Sequence, residues 1–148
     1  MPRVLNIVSH SETETFALGE KMAAMFPDGS LVVLSGELGA GKTVFVKGLA
    51  RGMGIEKDTA TSPTFNIVHE YRGERELYHF DLYRLRETSE LVEIGWDDYL
   101  ERQGVAVVEW GEKAGALLPQ KYYLVEINSL KDNDNENERE INVSLIEK

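Results

Sequence analysis

The segment Gly36-Glu37-Leu38-Gly39-Ala40-Gly41-Lys42-Thr43 has the types and spacing of a phosphate-binding loop. Its glycines let consecutive backbone amides turn into one concavity. Those amides and the N-terminus of the following helix, with Val44 among the candidate nucleotide-binding residues, favour anionic oxygens. Lys42 supplies a cation for β- and γ-phosphates, and Thr43 offers a hydroxyl to Mg²⁺. The expected ligand is a nucleoside triphosphate with Mg²⁺.

A phosphate-binding loop of this kind needs a carboxylate for the metal, commonly at the C-terminal end of an apolar strand. Two positions qualify. Asp81 ends Leu77-Tyr78-His79-Phe80, and Glu109 ends Val105-Ala106-Val107-Val108. Asp81 is assigned to the metal, directly or through water. Glu109 is either a second metal contact or the residue that orients attacking water. Ser62 and Thr64, in Thr61-Ser62-Pro63-Thr64, suit a loop that senses the γ-phosphate, although the same residues also make ordinary turns. Trp110 either stacks on a base or partner or fills the core. His10, His69 and His79 are dispersed without metal-ligand spacing and are read as non-ligands.

The elements that must hold these residues are partly legible. Leu31-Val32-Val33-Leu34 and Gly104-Val105-Ala106-Val107-Val108 are continuous apolar runs, as in strands buried on both faces of a parallel sheet. Val4 to Val8 reads as a first strand. Ser11 and Glu14 have capping-box spacing before a helix that ends near Pro27-Asp28-Gly29. Phe45, Leu49 and Met53 recur every four residues, and Gly54 stands where a left-handed cap is expected. Ile67–Tyr71 and Leu77–Phe80 predict a hairpin. Ser89 to Leu100 predicts one helix, capped by Ser89 and burying Leu91, Val92, Tyr99 and Leu100. Tyr122–Ile127 and Glu140–Leu145 predict a final hairpin around a charged surface loop at 131–140. The fold class expected is an α/β sandwich of the P-loop NTPase type, a mixed sheet flanked by helices, in one domain over 1–148. Strand order is not readable.

Composition narrows the classes. The chain has no cysteine, which excludes disulfides, thiolate metal sites and thiol nucleophiles. A net charge of −10 opposes non-specific grip on nucleic acid. No apolar run approaches the roughly 20 residues of a membrane span. Met1 to Asn6 lacks the apolar stretch of a signal peptide, so a cytoplasmic address is expected.

Taken together, the P-loop, Ser62-Pro63-Thr64-Phe65, His79-Phe80-Asp81-Leu82-Tyr83-Arg84-Leu85 and Val108-Glu109-Trp110 resemble the bacterial TsaE (YjeE) family. The resemblance runs from the N-terminal strand to about Leu118. It implies a cytoplasmic ATPase of tRNA threonylcarbamoyladenosine formation that works with TsaB and TsaD. TsaD modifies adenosine 37 of tRNAs reading codons that begin with A, so contact with tRNA would be indirect. It further implies Thr43 and Glu109 as Mg²⁺ neighbours, Asp81 as the Walker-B-like carboxylate, and Ser62 and Thr64 as a switch. N-terminal residues around Ser9 to Thr13, Ser11 among them, would lie near the nucleotide. Competing readings are a small metabolite kinase, for which no Arg-rich lid is visible, and a nucleotide-controlled binding module. A regulatory GTPase would need an Asn-Lys-x-Asp motif, which this chain lacks.

Overall fold

The computed structural model describes residues 3–37, 41–56, 67–130 and 137–148. Among them, seven strands form one sheet in the order β1-β7-β6-β2-β5-β4-β3. The two apolar runs make its centre. β2 (Leu31–Gly36) lies between β5 (Val105–Glu109) and β6 (Lys121–Ser129), parallel to both. Helical segments packed on both faces of these central strands leave neither face to solvent. Leu31 to Leu34 are accordingly buried, and so are Val105 to Val108.

The remaining strands add antiparallel hairpins. β3 (Val68–Arg72) and β4 (Glu76–Asp81) form the first, with β4 parallel to β5. β6 and β7 (Arg139–Glu147) form the last, and β1 (Arg3–Ser9) pairs with β7 at the sheet edge. Both expected hairpins are present, and β7 begins at Arg139.

Alternation along β2, β4 and β5 separates two cores. Val32, Leu34, Leu77, Val105 and Val107 pack toward α1 (Glu12–Met22) and α2 (Lys42–Gly52). Leu31, Tyr78, Phe80, Ala106 and Val108 pack on the other face, with Trp96 and Tyr99. The two helices cross at glycines. A Cβ on Gly19 would lie 2.4 Å from the Phe45 carbonyl oxygen, and one on Gly48 would lie 2.1 Å from that of Phe16. Only hydrogen fits there, so α1 is pressed backbone to backbone against α2.

The start of α1 follows its sequence. Ser11 Oγ accepts from Glu14 N at 3.1 Å, while Glu14 Oε1 accepts from His10 N, one residue before the cap. Its end comes earlier than expected, at Met22. The Arg75 guanidinium, from the β3–β4 hairpin, takes the carbonyls of Ala23 and Phe26 and pairs with Asp28 at 3.0 Å. Those carbonyls are satisfied without another helical turn.

The single helix expected over Ser89–Leu100 is two: α3 (Ser89–Glu93) and α4 (Trp96–Glu101). Gly95 takes φ 91°, which breaks the helix and opens the second. Thr88, not Ser89, occupies the cap, and the Glu90 carboxylate accepts from Arg86 N and Glu87 N. Val92 is 59% exposed rather than buried and Leu100 only half-buried, whereas Leu91 and Tyr99 are buried as expected. Gly54 adopts φ 74° after α2.

Candidate functional site

Three parallel strands deliver their C-terminal ends to one edge of the sheet. The register sets Leu34 opposite Glu109 and Asp81 opposite Glu109, so the ends of β2, β5 and β4 share one row. Open α/β sheets bind ligands at such an edge. Counting alternate residues from Val107 and Leu77 places Glu109 and Asp81 on the α2 face, the side where the P-loop helix begins.

The glycines at either end of the P-loop have separate reasons to be glycine. A Cβ on Gly36 would stand 2.2 Å from the Ile127 carbonyl oxygen of β6, so the tight strand packing alone demands it. Gly41 caps α2 with φ 102° and no side-chain bond, leaving the first-turn amides of α2 available. Leu38, Gly39 and Ala40 lie outside the described residues, as do Ser62 and Thr64. Glu37 and Thr43 are exposed and Val44 half-buried, the latter two in the first turn of α2.

Lys42 and Glu109 meet. Lys42 Nζ is 3.6 Å from Glu109 Oε1, and both side chains are largely buried. His79 Nε2 donates to Glu109 Oε2 at 2.7 Å. Burial pushes the Glu109 carboxyl up, but the His79 hydrogen bond and charge, followed by Lys42, outweigh it and hold the group below the ordinary Glu value. Glu109 is therefore an ionised acceptor with each oxygen aimed at a different donor. Asp81 is exposed, and its Oδ1 accepts from Tyr83 N at 3.1 Å, which turns the chain back at the strand end.

Trp110 follows Glu109 with φ 61° and ψ 41°, the one non-glycine residue at positive φ among those described. A bulky residue there carries strain of about 1–3 kcal/mol. Its ring is 40% exposed, lies 5.7 Å from Lys42 Nζ, and meets Tyr83 at 5.2 Å between centroids. Of the two roles open in the sequence, core filling belongs to Trp96, whose indole N–H bonds the Leu117 carbonyl at 3.0 Å. A cleft of about 60 Å³ lies between Gly36, Lys42 and Trp110.

The N-terminal segment also reaches this edge. A Cβ on Gly41 would stand 3.9 Å from Thr15 Cγ2 in the first turn of α1 and 3.8 Å from Arg139 Nε of β7. Ser9 and Thr15 share a buried hydroxyl hydrogen bond of 2.7 Å, and Ser11 Oγ is occupied in capping α1. Sequence reasoning missed His79, Thr15 and Arg139. The available signal for His79 was its position two residues before Asp81 on a strand. Arg139 had none, because it sits at the end of a charged run.

For Mg²⁺ the donor set is of the right kind. Asp81, Glu109 and the Thr43 hydroxyl are hard oxygen donors, and among the described residues no three carboxylates or imidazoles gather into a protein-only metal site. Mg²⁺ is typically held by one or two carboxylates together with substrate phosphates.

Residues 9–141 match the family described as threonylcarbamoyl adenosine biosynthesis protein TsaE. The chain belongs to the TsaE family. Among curated TsaE relatives, the tRNA threonylcarbamoyladenosine biosynthesis protein TsaE of Treponema pallidum is 40% identical over 132 residues, covering 89% of this chain and 97% of that one. The Bacillus subtilis TsaE protein is 42% identical over 124 residues, covering 83% and 77% respectively. The crystal structure of Bacillus subtilis YdiB superposes with a TM-score of 0.77 at 35% identity, over 99% of this chain and 88% of that one. The fold is thus the α/β P-loop NTPase-like sandwich expected from the sequence. No helix among the described residues is long and apolar enough to cross a membrane.

Proposed function

We propose that this TsaE-family protein is a Mg²⁺-dependent ATPase that supports threonylcarbamoylation of adenosine 37 in tRNAs reading codons that begin with A, in concert with TsaB and TsaD homologues. The observation that carries the reading is the Lys42–Glu109–His79 chain at the edge where β2, β4 and β5 end. A cation and an anchored carboxylate at a P-loop make a site for a triphosphate and its attacking water.

In this reading Lys42 leaves Glu109 for the β- and γ-phosphate oxygens. Asp81 and Thr43 would hold Mg²⁺, which when bound neutralises charge developing on those oxygens. Glu109, ionised and fixed in direction, orients the attacking water. The Trp110 ring lies 5.7 Å from Lys42 Nζ. Arg139, beside Gly41, adds a second cation at the loop. Closure excludes water and completes such sites. A partner surface against the exposed Tyr83 and Trp110 would supply it, so hydrolysis is slow in the isolated chain and responsive to TsaB and TsaD.

Reconstitution of tRNA modification from purified components tests this. Sustained threonylcarbamoylation should require this protein and fail with Lys42→Ala in its place. Equal efficiency without the protein would reject the reading and move a small metabolite kinase to first place.

A further inference from the structure

His79 carries no part of the phosphate or metal chemistry, yet it is bonded to the residue on which hydrolysis turns. Tyr78 and Phe80 belong to the core on the α3–α4 side, and Leu77 to the core under α2. His79 and Asp81 therefore face α2. The register places His79 opposite Val107 and Asp81 opposite Glu109, so the imidazole meets the Glu109 carboxylate along the diagonal between β4 and β5.

The bond is specific to one oxygen. Nε2 lies 2.7 Å from Oε2, with the side chains 19% and 16% exposed, while Lys42 stands at Oε1. An ionised carboxylate only accepts, so the bond places the proton on Nε2 and fixes the ring's orientation. The ring is itself seated: His79 is in the interior of β4 between β3 and β5, across from His69. The His69 imidazole stacks in turn against Tyr71 at 6.5 Å.

We propose that His79 is a positioning residue: it holds Glu109 through Oε2 so that Oε1 alone faces Lys42 and the Mg²⁺–triphosphate. The inference rests on the hydrolysis reading above. A carboxylate that orients water must keep one direction while the ligand arrives and Lys42 departs. Lys42 cannot hold it then, and His79 can. Loss of the tether should slow the chemical step and leave ground-state affinity nearly unchanged, because Glu109 stays at the end of β5 but turns freely.

Single-turnover ATP hydrolysis and ATP affinity are measured for wild type, His79→Leu, His79→Gln, Glu109→Gln and the double variant His79→Leu/Glu109→Gln, with folding checked by circular dichroism. His79→Leu should lose about 10–100-fold in rate, the usual cost of removing an outer hydrogen-bond partner, with affinity nearly unchanged. His79→Gln presents an amide donor at the Nε2 position and should recover most of the rate. The double variant should be no slower than Glu109→Gln alone. Equal losses for the Leu and Gln variants, or additive losses in the double variant, would overturn the proposal. An independent readout is the ¹⁵N resonance of His79 Nε2, which should shift on Glu109→Gln. Should wild type hydrolyse no ATP, the hydrolysis reading fails alone; an Nε2 resonance indifferent to Glu109→Gln overturns the tether itself.

Discussion

Lys42 Nζ stands 3.6 Å from Glu109 Oε1, so the cation of the P-loop is engaged by the carboxylate at the end of the neighbouring strand. Both side chains are largely buried, and in the proposed reading a triphosphate would exchange this partner for phosphate oxygens.

Lys42→Ala should therefore weaken ATP more than ADP, because the contact reaches β and γ oxygens. A charge-assisted hydrogen bond contributes about 1.5–3 kcal/mol, which is roughly ten- to hundredfold in affinity. The lost Glu109 pairing offsets part of that. Trp110 is a convenient reporter, since its exposed ring lies over Lys42 while Trp96 is buried. Fluorescence titration in a Trp96→Phe background should show the weaker binding. Unchanged ATP affinity in a folded variant would remove Lys42 from the phosphate site.

Gly48→Ala tests how α1 is held against the P-loop helix. The added Cβ would sit 2.1 Å from the Phe16 carbonyl oxygen, which is backbone and cannot swing aside. Overpacking of this kind costs about 1–3 kcal/mol or more. Urea unfolding should show the loss in the midpoint with the slope unchanged. A midpoint equal to that of wild type would mean the helices separate without cost.

Much of this was written plainly in the chain. β2, the P-loop and α2 are legible because an apolar run, a glycine-rich turn and a four-residue repeat follow one another without interruption. The β3–β4 hairpin is legible because turn residues separate two short strands, and the β6–β7 hairpin because a charged run separates two apolar ones. The helix over Ser89–Leu100 was misread because its apolar spacing continues through Gly95, and only the backbone shows that Gly95 breaks it. Strand order is set by pairings between distant segments, β6 with β2 and β4 with β5, that no local pattern encodes. Glu109 was found from its position at a strand end. Its partner His79 carries no local signal for that bond, which arises from a diagonal across two strands.

His10 gives a pH signature of its own. Its Nδ1 is 2.6 Å from a Glu138 carboxylate oxygen, joining the start of α1 to the segment leading into β7. That hydrogen bond, opposed by burial and reinforced by the charges of Glu14 and Glu138, raises its pKa above 6.5. A raised value means the bond's stabilisation is fully present below the unfolded value and is lost as pH rises through the folded one. NMR titration should place the His10 midpoint above 6.5 in wild type and bring it down in Glu138→Gln. His69 should titrate below 6.5, held there mainly by burial and further by the adjacent His79 ring, with Asp81 opposing. A His10 midpoint indifferent to Glu138→Gln would show that the pair does not form in solution.

The two strand-end carboxylates should separate by role. Asp81→Asn removes charge that a hard cation requires, so its defect should appear as a weaker Mg²⁺ dependence of ATP binding. Isothermal titration across Mg²⁺ concentrations reads this directly. Mg²⁺-dependent affinity equal to wild type would take Asp81 out of the metal site.

The most direct test of the account is single-turnover ATP hydrolysis by wild type and Glu109→Gln, each with and without Mg²⁺. Wild type should hydrolyse ATP only with Mg²⁺, while Glu109→Gln binds ATP almost normally and loses about 10²–10⁴-fold in rate, the range for a positioned proton-accepting group. If Glu109 instead touches the metal, binding and rate should fall together. Hydrolysis that ignores Mg²⁺, or equal rates in wild type and Glu109→Gln, would contradict the assignment of this site.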